Sequence, residues 1–262
     1  MGQRQEEELH LPYNLVKQSI SNRQYKFMYQ PILNVKTGGV GLEMLARWQH
    51  EGEWISPLQF IPAIEEQGLI TDFNKLLVDQ LIADHQMLKE TLKNFSFISL
   101  NLSPYIFINK EEVKFMEYLT ERLRENNIMA SEVCLEITES SMLNVHSFSF
   151  LEESRKEGFL IAIDDFGTGF SSLEYLIGNS FNVLKLDIAL IRQITTKPRK
   201  IAIVDSVLML SKKLKYRVIA EGVETKEQYD LLNKLGIDYI QGYYISKPLF
   251  IEDLFRQFNL GN

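Results

Sequence analysis

Eight short strand-like runs, most of them separated by a stretch with helical spacing, dominate this 262-residue sequence. They cover Tyr25–Ile32, Val40–Trp48, Phe95–Leu102, Glu132–Thr138, a run opening near Phe159, Phe181–Asp187, Arg217–Ala220 and Asp238–Tyr244. Helical patterns fall at Leu11–Ile20, Pro57–Gln67, Asp72–Leu92, Lys110–Asn126, Ser147–Glu157, Arg199–Lys213, Lys226–Leu235 and Ile251–Phe258. Strands that alternate with helices pack as a parallel sheet under helical cover. Eight such units in one chain of this length predict a (β/α)₈ barrel, with a doubly wound open sheet as the runner-up. The first two strands break the pattern. Between them, Asn34-Val35-Lys36-Thr37-Gly38-Gly39 reads as a turn too short for a crossover helix, so the first strand is expected to run antiparallel. No GxGxxG follows the first strand, which argues against a dinucleotide-binding sheet.

A barrel of this kind carries its chemistry at the carboxyl ends of its strands. Those ends read as Glu43, Asn101, Glu136, Asp164-Asp165, Lys185 with Asp187, Glu221 with Glu224, and Gln241. Each alone has an ordinary explanation as a cap, a surface residue or a satisfied core polar group. For Asp164-Asp165 that explanation is one aspartate capping the next turn and the other solvated. Together they are hard to dismiss, because two adjacent carboxylates at the end of a buried run repel each other and are costly to desolvate. A divalent cation is the usual remedy. Carboxylates and a carboxamide are hard oxygen donors, suited to Mg²⁺ or Mn²⁺. The four histidines, His10, His50, His85 and His146, lie away from these ends and form no HExxH, which disfavours zinc. Asp164 and Asp165 would serve two ions or bridge them, an arrangement that activates water for in-line phosphoryl displacement. Asp165-Phe166-Gly167 lacks the HRD loop of a kinase, and Gly167-Thr168-Gly169 lacks the GK[ST] of a P-loop.

Composition narrows the partners. A net charge of −7 makes a nucleic-acid backbone an unsuitable ligand, while a small phosphate ligand remains compatible if metal ions supply positive charge. The single cysteine, Cys134, excludes an internal disulfide and sits in an apolar strand as inert core. No apolar run approaches the roughly 18 residues of a membrane span. Residues 1–8 are polar and read as a stub or linker, with the folded domain over 9–262. The expected location is the cytoplasm, as the cytoplasmic part of a longer or membrane-anchored sensor protein.

Eight stretches stand out along the chain: Tyr29-Gln30-Pro31-Ile32, Gly41-Leu42-Glu43-Met44-Leu45-Ala46-Arg47-Trp48, Asn101-Leu102-Ser103-Pro104, Leu135-Glu136-Ile137-Thr138-Glu139-Ser140, Asp164-Asp165-Phe166-Gly167-Thr168-Gly169, Lys185-Leu186-Asp187, Glu221-Gly222-Val223-Glu224-Thr225 and Gln241-Gly242-Tyr243. On these the chain resembles the EAL-domain family of cyclic di-GMP phosphodiesterases. The resemblance implies a (β/α)₈ barrel with the first strand antiparallel, and hydrolysis of cyclic di-GMP to linear pGpG with two Mg²⁺ or Mn²⁺ ions. It implies Glu43, Asn101, Glu136 and Asp164 as ligands of one ion, and Asp165 with Asp164 as ligands of the second. Lys185 would hold the attacking water and offset phosphate charge, Glu221 would act as general base or second-metal ligand, and Gln241 would position water and metal. Gln30, Leu45, Arg47, Asp187, Glu224, Gln241 and Pro248 would face the substrate, with the Arg47 guanidinium on a phosphate. Glu139 would anchor the loop from Phe166 to about Ser180, which the resemblance ties to activity and to a homodimer. The apolar residues there, Phe166, Phe170, Leu173, Tyr175 and Leu176, suit an interface or barrel-top core equally.

One departure is plain: the signature reads Glu43-Met44-Leu45 rather than Glu-Ala-Leu. Strand neighbours point to opposite faces, so Met44 is expected to meet the surrounding helices as a tolerated packing change. Two other functions compete. A catalytically silent cyclic di-GMP receptor or protein-interaction module would be marked by loss of a metal carboxylate, and none is lost. A different metal-dependent barrel enzyme, such as an aldolase using Lys185 as a Schiff base, would need a desolvated neutral amine.

Overall fold

In a computed structural model, which describes residues 11–108, 110–138, 145–167 and 181–259, the chain closes into the expected barrel. The strands are β1 (Tyr25–Asn34), β2 (Val40–His50), β3 (Glu53–Ile55), β4 (Phe95–Asn101), β5 (Val133–Thr138), β6 (Leu160–Phe166), β7 (Val183–Leu186), β8 (Arg217–Ala220), β9 (Tyr239–Gln241) and β10 (Leu249–Phe250). Around the barrel the order is β1-β9-β8-β7-β6-β5-β4-β2, and pairing of β1 with β2 closes it. β1 runs antiparallel to both its barrel neighbours, and the remaining barrel pairs are parallel. The turn between β1 and β2 is built on Asn34, whose Oδ1 accepts from the backbone N–H groups of Lys36 and Thr37 at 3.0 Å each. Gly38 supplies the positive φ of 69° that this tight connection requires.

The helices are α1 (Tyr13–Ser21), α2 (Pro57–Glu66), α3 (Ile70–Thr91), α4 (Tyr105–Ile108), α5 (Glu112–Glu125), α6 (Val145–Lys156), α7 (Ile188–Ile191), α8 (Pro198–Leu214), α9 (Lys226–Leu235) and α10 (Ile251–Asn259). β9 is shorter than its sequence pattern, ending at Gln241 rather than Tyr244. There Gly242 turns against Val223, so closely that an added Cβ would lie 2.2 Å from the Val223 carbonyl oxygen.

Two apolar clusters hold the fold. The larger lies between strands and helices. The smaller fills the lumen with Ile32, Phe97, Cys134, Leu160, Ala162, Val183, Ile219 and Tyr239. Gly41 makes room for this layer, since a Cβ there would meet the Phe97 ring at 2.5 Å. Strand side chains repeat on one face every two residues. Two residues from this floor, on the same face, come Gln30, Ser99, Glu136, Asp164, Lys185, Glu221 and Gln241, with Glu43 two beyond Gly41. The period that packs the lumen therefore aims the polar residues into the mouth above it.

Candidate active site

Lys185 stands at the centre of that mouth. Its ammonium, on a fully buried side chain, lies 2.6 Å from Glu136 Oε2, 2.9 Å from Glu221 Oε1, 3.2 Å from Asp164 Oδ1 and 3.9 Å from Glu43 Oε2. Burial alone would depress its pKa. The fields of Glu136, Glu221, Glu43 and Asp164 overcome burial and hold the ammonium well above the ordinary lysine value. A neutral, Schiff-base-forming amine is therefore the wrong description of this residue.

The amides complete the ring. Asn101 Nδ2 donates to Glu43 Oε1 at 2.9 Å, and Gln241 Nε2 donates to Glu43 Oε2 at 2.5 Å. Gln241 Nε2 also reaches Gln30 Oε1 at 3.3 Å, while Gln30 Nε2 donates to the Ser246 carbonyl at 3.3 Å. Burial would raise Glu43, but Lys185 and the two amide donors hold its carboxyl below the usual range. Burial pushes Glu136 well above that range, with Glu43 and Asp164 adding to the rise against the pull of Lys185. Burial likewise pushes Glu221 up to about 7. Asp165 is raised, first by burial and then by Asp164 and Asp187.

Asp164 and Asp165 reach the site together through a break in strand regularity. Pairing of β6 with β7 steps from Ile163↔Leu184 to Phe166↔Leu186, a bulge, and Asp165 has φ of 57°. One ligand oxygen each from Asp164, Asp165 and Glu221 lie within 4.8 Å of one another. Five carboxylates, Glu43, Glu136, Asp164, Asp165 and Glu221, thus share a site with one ammonium. Two buried oxygens there, Glu136 Oε1 and Gln241 Oε1, have no hydrogen-bond partner. Excess negative charge and unpartnered buried oxygens are what a hard divalent cation would satisfy, so the donor set fits Mg²⁺ or Mn²⁺.

The other expected residues surround this centre at varying distance. A cavity of about 270 Å³ is lined by Gln30, Glu43, Glu221, Glu224 and Gln241, together with Ile188 and Tyr243. Ile188 and Tyr243 were not among the expected site residues, although Tyr243 belongs to the Gln241-Gly242-Tyr243 stretch; both are exposed apolar side chains just past strand ends. Leu45 and Arg47 lie farther along β2, both half-buried, with Arg47 Nη1 donating to the Ala46 carbonyl at 2.8 Å. Asp187 caps α7 by accepting from the Ala189 N–H at 2.7 Å. Pro248 immediately precedes β10, which pairs with β1. Glu139, most of the loop after Asp165 (residues 168–180) and the polar stretch 1–8 lie outside the described residues.

Comparison with known proteins agrees with this geometry. The family model of the EAL domain matches residues 14–248. The chain is 36% identical over 253 residues to the probable cyclic di-GMP phosphodiesterase PdeG of Escherichia coli K12, covering 94% of this chain and 48% of that protein. It therefore spans about half the length of that relative. The solved PaMucR phosphodiesterase in complex with c-di-GMP superposes with a TM-score of 0.82 at 31% identity, covering 91% of this chain and 97% of the other. The EAL enzyme Bd1971 in its cAMP-bound form gives 0.84 at 29% identity, covering 94% and 69%. A closed mixed barrel with one reversed strand, an acidic mouth around one lysine and a family match over most of the length make this chain a member of the EAL domain family.

Proposed function

We propose that this domain is a metal-dependent phosphodiesterase that hydrolyses cyclic di-GMP to linear pGpG. The observation that carries the reading is the Lys185 ammonium held among Glu43, Glu136, Asp164 and Glu221, with surplus carboxylate oxygens around it. Glu43, Asn101, Glu136 and Asp164 would hold one divalent ion, and Asp164, Asp165 and Glu221 a second. When bound, such ions supply Lewis-acid polarisation of the phosphate and acidify water.

The chain's own groups do the rest. Lys185 offsets the charge gathering on the phosphate oxygens and fixes a water by donation. Glu221 takes a proton from that water as its oxygen attacks phosphorus in line. One P–O bond forms, the bond to the 3′ oxygen breaks, and the departing oxygen takes a proton from solvent water while Glu221 returns its own to solvent, leaving a 5′-phosphate and a free 3′-hydroxyl. Gln241 and Gln30 orient water through their amides, and Arg47 holds the distal phosphate. A domain of this kind, spanning half of its relative's length, is read as the cytoplasmic output unit of a longer signalling protein. Among the described residues no helix is long and apolar enough to cross a membrane. The homodimer expectation rests on residues 168–180 and remains part of this proposal.

The test is turnover of cyclic di-GMP by the purified chain with Mg²⁺, with Mn²⁺ and with chelator, the products being separated chromatographically. Metal-dependent pGpG is expected. Tight binding without product would replace the enzyme with a receptor.

A further inference from the structure

β1 and β2 form a ribbon that the rest of the barrel holds only in part. β2 pairs with β4 no farther than Glu43↔Ser99, with a register shift just below, between Val40 and Leu42. β1 pairs with β9 only from Ile32↔Gln241 to Asn34↔Tyr239, and the two-residue β10 adds Met28↔Phe250 and Tyr29↔Leu249. The ladders to β4 and β9 therefore give out at the level where Gln30 stands beside Glu43. On the inner face of the ribbon there, Gln241 Nε2 reaches both Glu43 and Gln30. Side chains alternate between faces, so the next pair in register, Tyr29 beside Met44, lies on the outer face, toward the helices.

Tyr29 is fully buried, and its hydroxyl donates to Asp84 Oδ2 on α3. Gln80 Nε2 donates to the same oxygen at 2.8 Å. Asp84 is itself buried, on the side of α3 that buries Leu77, Leu81 and Leu88. Both of its donors are neutral, and among the described residues no ion pair compensates it. Burial first, then the charge of Asp84, raises the Tyr29 phenol well above its ordinary value, so the proton stays on the tyrosine. A carboxylate taken out of water without a counter-charge costs stability, and an apolar side chain would pack there without that cost. What the pair supplies instead is direction. A charge-assisted hydrogen bond is short and strong, and this one ties the ribbon to α3 where the strand ladders give out.

We propose that Tyr29 and Asp84 are positioning residues for the metal centre: the hydrogen bond between them holds the β1–β2 ribbon against α3 and so sets where Glu43 stands relative to Asn101, Gln241 and Lys185. Neither residue touches the reacting atoms. The assignment rests on the metal-dependent phosphodiesterase reading. Tyr25 provides an internal control. It lies on the same strand and the same outer face, is buried, and has its hydroxyl 2.9 Å from Ser19 Oγ. It pairs with Trp48, well beyond Glu43 along β2.

The test reads metal binding directly, by calorimetric titration of Mn²⁺ into the chain without nucleotide. Y29F is expected to weaken Mn²⁺ binding about ten-fold, the low end of what losing a hydrogen bond behind a metal ligand does. D84N, whose amide oxygen still accepts from Tyr29, is expected to stay within about three-fold of native. D84L removes the same contact from the α3 side and is expected to match Y29F, so the test does not depend on one variant folding. Y25F loses a buried hydroxyl of the same kind and is expected to leave Mn²⁺ affinity unchanged. In E43Q, Y29F is expected to add no further weakening, because its effect passes through Glu43. Native affinity in Y29F and D84L, equal weakening in Y25F, or undiminished weakening in E43Q overturns the positioning role and leaves the phosphodiesterase reading standing. If the native chain binds no Mn²⁺, both fall.

Discussion

At Met44 the chain departs from the Glu-Ala-Leu signature, and the surroundings show a side chain packed away from the acidic mouth. The side chain is 3% exposed, and its sulfur lies 3.6 Å from the Tyr29 hydroxyl, which donates to Asp84. It turns toward α2 and α3, lining a crevice with Phe60, Ile70 and Phe73, on the opposite face from Glu43. Restoring the family alanine would remove packing without touching the chemistry. M44A is expected to cost about 3 kcal/mol in urea denaturation, as buried methionine truncations do, with turnover within about three-fold of native. Glu221 is expected to behave in the opposite way. E221A is expected to lower kcat by about 10²-fold or more, the usual worth of a general base, while an equilibrium binding assay still detects cyclic di-GMP. Loss of binding in E221A would recast this residue as a holder of substrate or metal alone.

At the scale of elements, the bulge in β6 does what a regular strand cannot. Period-two reading sends Asp164 and Asp165 to opposite faces, yet the left-handed backbone at Asp165 turns both toward the centre. Asparagine tolerates that conformation and alanine does not, so D165A is expected to lose about 1 kcal/mol more stability than D165N in the same denaturation assay. Equal losses would mean that the loop relaxes once the carboxylate is gone. The bulge was illegible in the sequence because nothing in Ile163-Asp164-Asp165-Phe166 reports an extra residue in the pairing. β3 and β10, at three residues and two, are too short to show any period, and α4 and α7 are single turns. What was legible has a physical reason. The barrel strands are bounded by turns and buried on both faces, so their apolar runs and the polar residues that end them stand out together. Hence the convergence of Glu43, Asn101, Glu136, Lys185, Glu221 and Gln241 on one mouth could be expected from strand ends alone. The second role of one rim residue was not: Asp187, expected to face the substrate, also caps α7.

For the whole molecule, the question is what balances its charge. The chain carries a net −7, and five of its carboxylates crowd one ammonium over an apolar lumen floor. Each ionised group there is desolvated by folding, and the single lysine offsets only part of the repulsion. A divalent ion that binds this mouth but not the unfolded chain must therefore stabilise the fold by mass action, by about 2.7 kcal/mol at a hundred-fold excess over its dissociation constant. Thermal unfolding followed across a Mg²⁺ or Mn²⁺ titration is expected to show a saturable rise in Tm that chelator reverses. Potassium chloride at matched ionic strength acts only by screening exposed charges and is expected to give little of that rise. Removing two of the buried oxygens with E136Q and D164N should cut the divalent-dependent rise by more than half while leaving the potassium response unchanged. An undiminished rise in the double variant would move metal binding to acidic groups on the surface and leave the barrel mouth to Lys185 alone.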